Sequence, residues 1–141
     1  HLRNRRQRQM CIRDSLSFLD DNLKPFFRAA IGNYRTTLKA KNEFYKNKLD
    51  IKKIADLINI HHSFLKNDLK ITTPVIDDMI DIAMENGSIG CKIVGSGGGG
   101  SIVCLSEDKS FSLKIVNELK KYGVKDAFIA KIGKGPTISY E

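Results

Sequence analysis

The stretch Val94-Gly95-Ser96-Gly97-Gly98-Gly99-Gly100-Ser101 decides how this chain reads, with five glycines in six positions. Glycine has no Cβ, so it reaches positive φ and lets a ligand or another backbone come close, at an entropic cost to the fold. On either side, Cys91-Lys92-Ile93-Val94 and Ser101-Ile102-Val103-Cys104-Leu105 are short and rich in β-branched residues, the composition of strands. The pattern is strand, glycine loop, strand. Successive backbone N–H groups in such a loop form a concave anion site; a tight hairpin with a bulge is the alternative reading. The loop lacks the Gly-Lys-Ser/Thr ending of a Walker loop. A β-branched run follows where a dinucleotide fingerprint requires a helix. Any phosphate held here is therefore held from a hairpin.

The chain has 141 residues, one domain's worth, and enough to bury a core. No apolar run approaches the roughly 20 residues of a membrane helix, and no signal peptide is visible. Cys11, Cys91 and Cys104 lack the spacing of a zinc site and point to a reducing, cytoplasmic setting. A symmetric hairpin places Cys91 opposite Cys104, where two small core thiols are expected rather than a disulfide. The net charge of +8 first suggests nucleic acid or a membrane surface. Half of it comes from residues 1–15, where Arg3, Arg5, Arg6, Arg8 and Arg13 face only Asp14. Gln9-Met10-Cys11-Ile12-Arg13-Asp14-Ser15 is encoded by CAG ATG TGT ATA AGA GAC AGC, which resembles the mosaic-end adapter of transposon-based sequencing libraries. Residues 1–15 are therefore expected to be a non-native, adapter-derived tail, with residues 16–141 as the domain; a genuine basic arm is the alternative. No nucleic-acid or membrane partner is expected.

Residues 16–23 read as a strand remnant or a helical lead-in. From Pro25, which suits a first helical turn, a helix is expected to about residue 48. Its stripe is Phe27, Ile31, Tyr34, Leu38 and Tyr45. Asp50 is a candidate N-cap for a second helix, with Ile51, Ile54, Ala55, Ile58, His61 or His62, and Leu65 on one face. Thr73 as N-cap and Pro74 at N1 begin a third helix, with Asp77 and Asp78 in its first turn and Gly87 closing it. A fourth is expected over 108–121, on the face Phe111, Ile115 and Leu119. Strands are expected over 126–132 and 137–140. The order predicts an α+β fold, an antiparallel four-stranded sheet covered by helices.

His61-His62-Ser63-Phe64-Leu65-Lys66-Asn67-Asp68-Leu69, then Thr72-Thr73-Pro74-Val75-Ile76-Asp77, then Gly90-Cys91-Lys92-Ile93-Val94 and the glycine loop resemble the C-terminal domain of the GHMP small-molecule kinases. The wording is closest to galactokinase-like sugar kinases, with mevalonate kinase next. The resemblance covers about residues 27–140 and is most specific over 72–105. It implies a ferredoxin-like α+β layer whose glycine loop, Gly95, Ser96, Gly97, Gly98, Gly99 and Gly100, supports the ATP-phosphate site. It also implies ATP and Mg2+ as cofactors, a sugar as small-molecule substrate, and an N-terminal ATP-binding kinase domain as partner. This sequence contains no Pro-x-x-x-Gly-Leu/Ser-Ser-Ser-Ala type ATP loop and none of the motif that supplies the family's catalytic acid. The chain by itself is thus expected to hold no catalytic residue and to phosphorylate nothing. The rival to kinase parentage is a non-catalytic α+β module that binds a small anion.

Other polar residues read more plainly. His61 and His62 are adjacent, so they face different sides of a helix and make a poor metal pair. Asp77 and Asp81 share a face at i, i+4, and with Asp78 they read as a solvated helix surface before a cation site; no metal ligand is assigned. Lys92, Lys131 and Lys134 read as surface lysines. Tyr34, Tyr45 and the phenylalanines read as core.

Overall fold

The computed structural model describes residues 17–95, 98, 100–131 and 133. Among them the order is α1 (Lys24–Phe44), α2 (Ile51–Ser63), a π-helical turn (Phe64–Asp68), α3 (Pro74–Glu85), β1 (Ser88–Val94), β2 (Ser101–Ser106) and α4 (Lys109–Tyr122). Residues 20–23 form a turn that leads into α1, which decides the helical alternative for the entry.

Helix starts follow the chemistry of their first residues. Asp50 accepts the Lys53 N–H at 3.1 Å, and the Thr73 hydroxyl oxygen accepts the Ile76 N–H at 3.4 Å ahead of Pro74. Asp108 accepts from Ser110 at 2.7 Å and Phe111 at 3.1 Å. Each cap satisfies N–H groups that the first turn leaves without a helical partner.

The buried seam of α1 differs from expectation. Tyr34 and Tyr45 are exposed, and the buried residues are Ala29, Thr36 and Glu43. Size explains the change: α1 lies against α2 and the π-helical turn through small residues. At Gly32 a Cβ would fall 2.4 Å from the Phe64 ring, so only glycine admits that ring. Glu43, 1 % exposed, is tolerated because Lys46 reaches it at 2.7 Å and Lys53 at 3.3 Å. Those contacts turn the chain, so α1 ends at Phe44 rather than near residue 48.

β1 and β2 pair antiparallel, with Cys91 opposite Cys104, Ile93 opposite Ile102 and Val94 opposite Ser101, and with a bulge between Ser88 and Gly90. One sheet face, carrying Cys91 and Ile93, buries itself against Leu65, Ile76, Ile80, Ala83, Ile115 and Leu119. α2 also packs on β1, at a separation that Gly90 permits: a Cβ there would stand 2.9 Å from the Ala55 backbone. The Asn59 amide completes the contact. Its nitrogen donates to Ile89 O at 3.1 Å and its oxygen accepts the Cys91 N–H at 3.0 Å. One side chain so does for the edge of β1 what a neighbouring strand would do.

The expected four-stranded sheet is replaced, among the described residues, by this two-stranded one. Residues 126–131, read as a third strand, form no ladder. The edge of β1 near Cys91 is already taken by Asn59, and Phe128 and Ile129 of the expected strand stay exposed instead of meeting the core. The expected strand over 137–140 lies outside the described residues. The architecture is α+β, with, among the described residues, four helices of three turns or more around an antiparallel pair.

Replacing Asn59 by Leu strips partners from Ile89 O and the Cys91 N–H, and Gly90→Ala forces α2 off β1. Each should lower unfolding free energy by about 1–3 kcal/mol in urea titrations. An unchanged midpoint in both variants contradicts this packing.

Candidate functional site

The glycine loop is fixed at its base and open above it. Gly95 (φ +81°) and Gly98 (φ +71°) take left-handed backbone, which L side chains adopt only at a cost. A Cβ built at either position would meet no described residue within 4 Å. At Gly95 and Gly98 the glycine composition is thus required by conformation and not by crowding from this chain. Ser96, Gly97 and Gly99 lie outside the described residues; Gly100 is exposed.

Among the described residues, a hydrogen bond ties the loop to the rest of the molecule: the Gly98 N–H donates to Ile71 O at 3.2 Å. Ile71 belongs to the connector between the π-helical turn and the Thr73–Pro74 start of α3. The Ile71 N–H donates to Leu65 O at 3.2 Å, and the Leu69 N–H to Phe64 O at 3.0 Å. Lys70, between them, adopts φ +53°. Arg28 of α1 clamps the end of the turn by donating Nε to Asp68 Oδ1 at 2.8 Å, with its terminal nitrogen on the same oxygen. Two motifs some twenty-five residues apart in sequence, the Thr-Thr-Pro cap and the glycine loop, therefore meet in space.

A polar cluster lies where α2, α3 and β1 converge. His62 is 8 % exposed and His61 half-buried. Burial is the main cause that lowers both imidazole pKa values. Lys92 and His62 reinforce it for His61. For His62, Asp77 opposes it while Lys66 and Lys92 reinforce it. Lys66 Nζ lies 3.2 Å from Asp77 Oδ2. Among the described residues, His61 Nδ1, His62 Nδ1 and Asp77 Oδ1 are buried without a hydrogen-bond partner. Lys92 is not the free surface lysine expected: it is half-buried, its pKa lowered by burial, and its Nζ donates to Ile93 O at 2.7 Å.

The acidic helix face is split. Asp77 is drawn to Lys66, while Asp78 Oδ2 accepts the Tyr122 hydroxyl at 2.8 Å. Among the described residues no group of three or more His, Cys, Asp or Glu is placed to hold a metal ion. Lys131 is exposed, and Lys134 lies outside the described residues. Sequence reasoning missed Asn59, the Arg28–Asp68 clamp and the burial of Glu43. The one available signal was a polar residue on the buried side of an otherwise apolar helix pattern, as at Asn59.

The sequence profile described as GHMP kinases C terminal matches residues 43–125. The chain belongs to the GHMP kinase family. A galactokinase of Fusobacterium nucleatum is 32 % identical over 122 residues, which cover 82 % of this chain and 31 % of the relative. A galactokinase of Bacillus subtilis is 30 % identical over 113 residues, covering 76 % and 28 %. A mevalonate kinase of Saccharolobus solfataricus is 31 % identical over 114 residues, covering 64 % and 36 %. This GHMP kinase domain thus spans about a third of the length of the curated relatives it matches. The matched region contains the glycine hairpin, the α3 cap and the polar cluster. Among the described residues no helix is long and apolar enough to cross a membrane.

Both histidines have native pKa values below the ordinary 6.5. As pH falls from 6.5 toward the lowered values, the unfolded chain binds protons that the folded chain refuses, so stability declines across that window. Urea midpoints should hold steady above pH 7 and drop as the pH falls below 6.5, and His62→Gln should flatten part of the drop. A midpoint that rises on acidification contradicts the placement of these rings.

Proposed function

We propose that this chain is the C-terminal domain of a galactokinase-like sugar kinase, which moves the γ-phosphoryl group of ATP to a sugar hydroxyl. The observation that carries the reading is the open left-handed backbone at Gly95 and Gly98, with empty space where side chains would stand. Phosphoryl transfer depends on positioning and on stabilising charge spread over the phosphate oxygens. A loop without side chains lets a phosphate-bearing segment come within backbone reach. In this reading Gly95, Ser96, Gly97, Gly98, Gly99 and Gly100 support the ATP-phosphate site from the hairpin side. Val94 and Val103, 47 % and 46 % exposed, give the hairpin an apolar surface for the segment that approaches it.

ATP fits the loop for the reason just given: a Cβ would occupy the space that a phosphate or its supporting backbone needs. Mg2+ does not fit the acids described here, since Asp77 and Asp78 are engaged with Lys66 and Tyr122, so no residue of this chain is assigned to it. The ATP-binding domain, the catalytic acid and most residues that select the sugar belong, in this proposal, to a segment upstream of residue 16. Residues 1–15 are a non-native tail, and the working compartment is the cytoplasm. A mevalonate-kinase-like parent is the second reading, favoured by the mevalonate kinases among the relatives.

The test is to read the genomic frame upstream of residue 16, express the longer protein, and measure ATP consumption with galactose and with mevalonate. Galactose-dependent turnover by the longer protein, and none by the present chain alone, is the expected result. Mevalonate-dependent turnover moves the assignment to the second reading. No turnover with either, or a stop codon directly upstream, overturns the kinase proposal.

A further inference from the structure

Cys91 and Cys104 face each other across β1 and β2, and both are free thiols. The Cys91 N–H points away from β2, toward Asn59, so this is a non-hydrogen-bonded pair of the ladder. In such pairs the facing Cα atoms stand about 4.5 Å apart and the side chains come closest, a spacing within the range of about 4.4–6.8 Å that a disulfide spans. Cys91 is 1 % exposed, while Cys104 is half-buried and reachable from solvent. Ser88 Oγ lies 3.1 Å from Cys91 Sγ.

We propose that Cys91 and Cys104 are a reversible thiol–disulfide pair that staples β1 to β2 beneath the glycine loop. The oxidant is a low-molecular-weight disulfide of the glutathione class, R–S–S–R. The Cys104 sulfur attacks one of its sulfurs, the R–S–S–R bond breaks, and a first R–SH leaves with the Cys104 proton. The Cys91 sulfur then attacks Cys104 Sγ. The Cys91–Cys104 bond forms, the bond from Cys104 to R–S breaks, and a second R–SH leaves with the Cys91 proton. The chain gives up two electrons and two protons, and the reagent disulfide is reduced to two thiols. The reduced chain is the form described here. The oxidised chain closes residues 92–103, glycine loop included, into a covalent ring that the hairpin cannot open.

The test uses the full chain carrying Cys11→Ser, equilibrated across ratios of reduced to oxidised glutathione. After an acid quench, free thiols are alkylated under denaturing conditions and the intact mass is read. The expected result is one concerted change from two alkylated thiols to none. The product is monomeric, lighter than the reduced chain by two hydrogens, and restored by dithiothreitol. Amides of β1 and β2 should exchange with deuterium at least tenfold more slowly in the oxidised form. Cys104→Val should keep one alkylatable thiol at every ratio; should that variant not fold, Cys91→Ala, in which nothing resolves the mixed disulfide, should hold one glutathione adduct on Cys104, an adduct that the chain with both cysteines should not keep. A persistent glutathione adduct, disulfides only between copies, or two free thiols at the most oxidising ratio overturns the pair. Unchanged amide exchange in the oxidised chain overturns the staple.

Discussion

The close approach of α2 to β1 is the constraint on which the other placements depend. Gly90 lets the strand backbone reach Ala55, and at that distance the Asn59 amide spans the edge of β1. Alanine at Gly90 would part the two elements, and a shorter or apolar residue at Asn59 would leave strand groups unpaired in a partly buried place. With β1 fixed, β2 pairs in a single register, and the face that holds Cys91 and Ile93 has one place to go, against α3 and α4. The same α2 runs on into the π-helical turn. Asp68 of that turn is held by Arg28, and Ile71 just beyond it is presented to Gly98. The loop's position thus follows from a helix laid tightly along a strand.

Much of this was legible in the chain. The caps at Asp50, Thr73 and Asp108 mark three helix starts because a short polar side chain before an apolar run has few other uses. The hairpin register followed from symmetry about the glycines. Less legible was anything decided by packing. Periodicity weighs apolar residues by type, so it chose Tyr34 for the buried stripe of α1, whereas the contact admits only small residues and a paired glutamate. The run 126–131 has strand composition, but composition says nothing about whether an edge is free to receive it, and the edge of β1 near Cys91 is occupied by a side chain.

For the candidate site, the glycine loop and the Thr-Thr-Pro cap were each readable as motifs, though not their contact in space, and the matched family profile spans both. The polar cluster was not, since His61, His62, Lys66, Asp77 and Lys92 come from four elements whose crossing no local pattern encodes. The loop also changed in meaning. Glycine runs invite an explanation by crowding, yet no described residue crowds Gly95 or Gly98. What their freedom serves is a left-handed backbone.

The most direct measurement of that claim separates folding from function at one residue. Gly98→Ala in the longer kinase proposed above adds a Cβ to the loop while touching no described residue of this chain. Its unfolding free energy should fall only by the left-handed backbone cost of about 1–2 kcal/mol, while ATP-dependent phosphoryl transfer per folded molecule falls at least tenfold. Full activity per folded molecule would contradict the account and leave the glycine loop as a hairpin turn with no part in a nucleotide site.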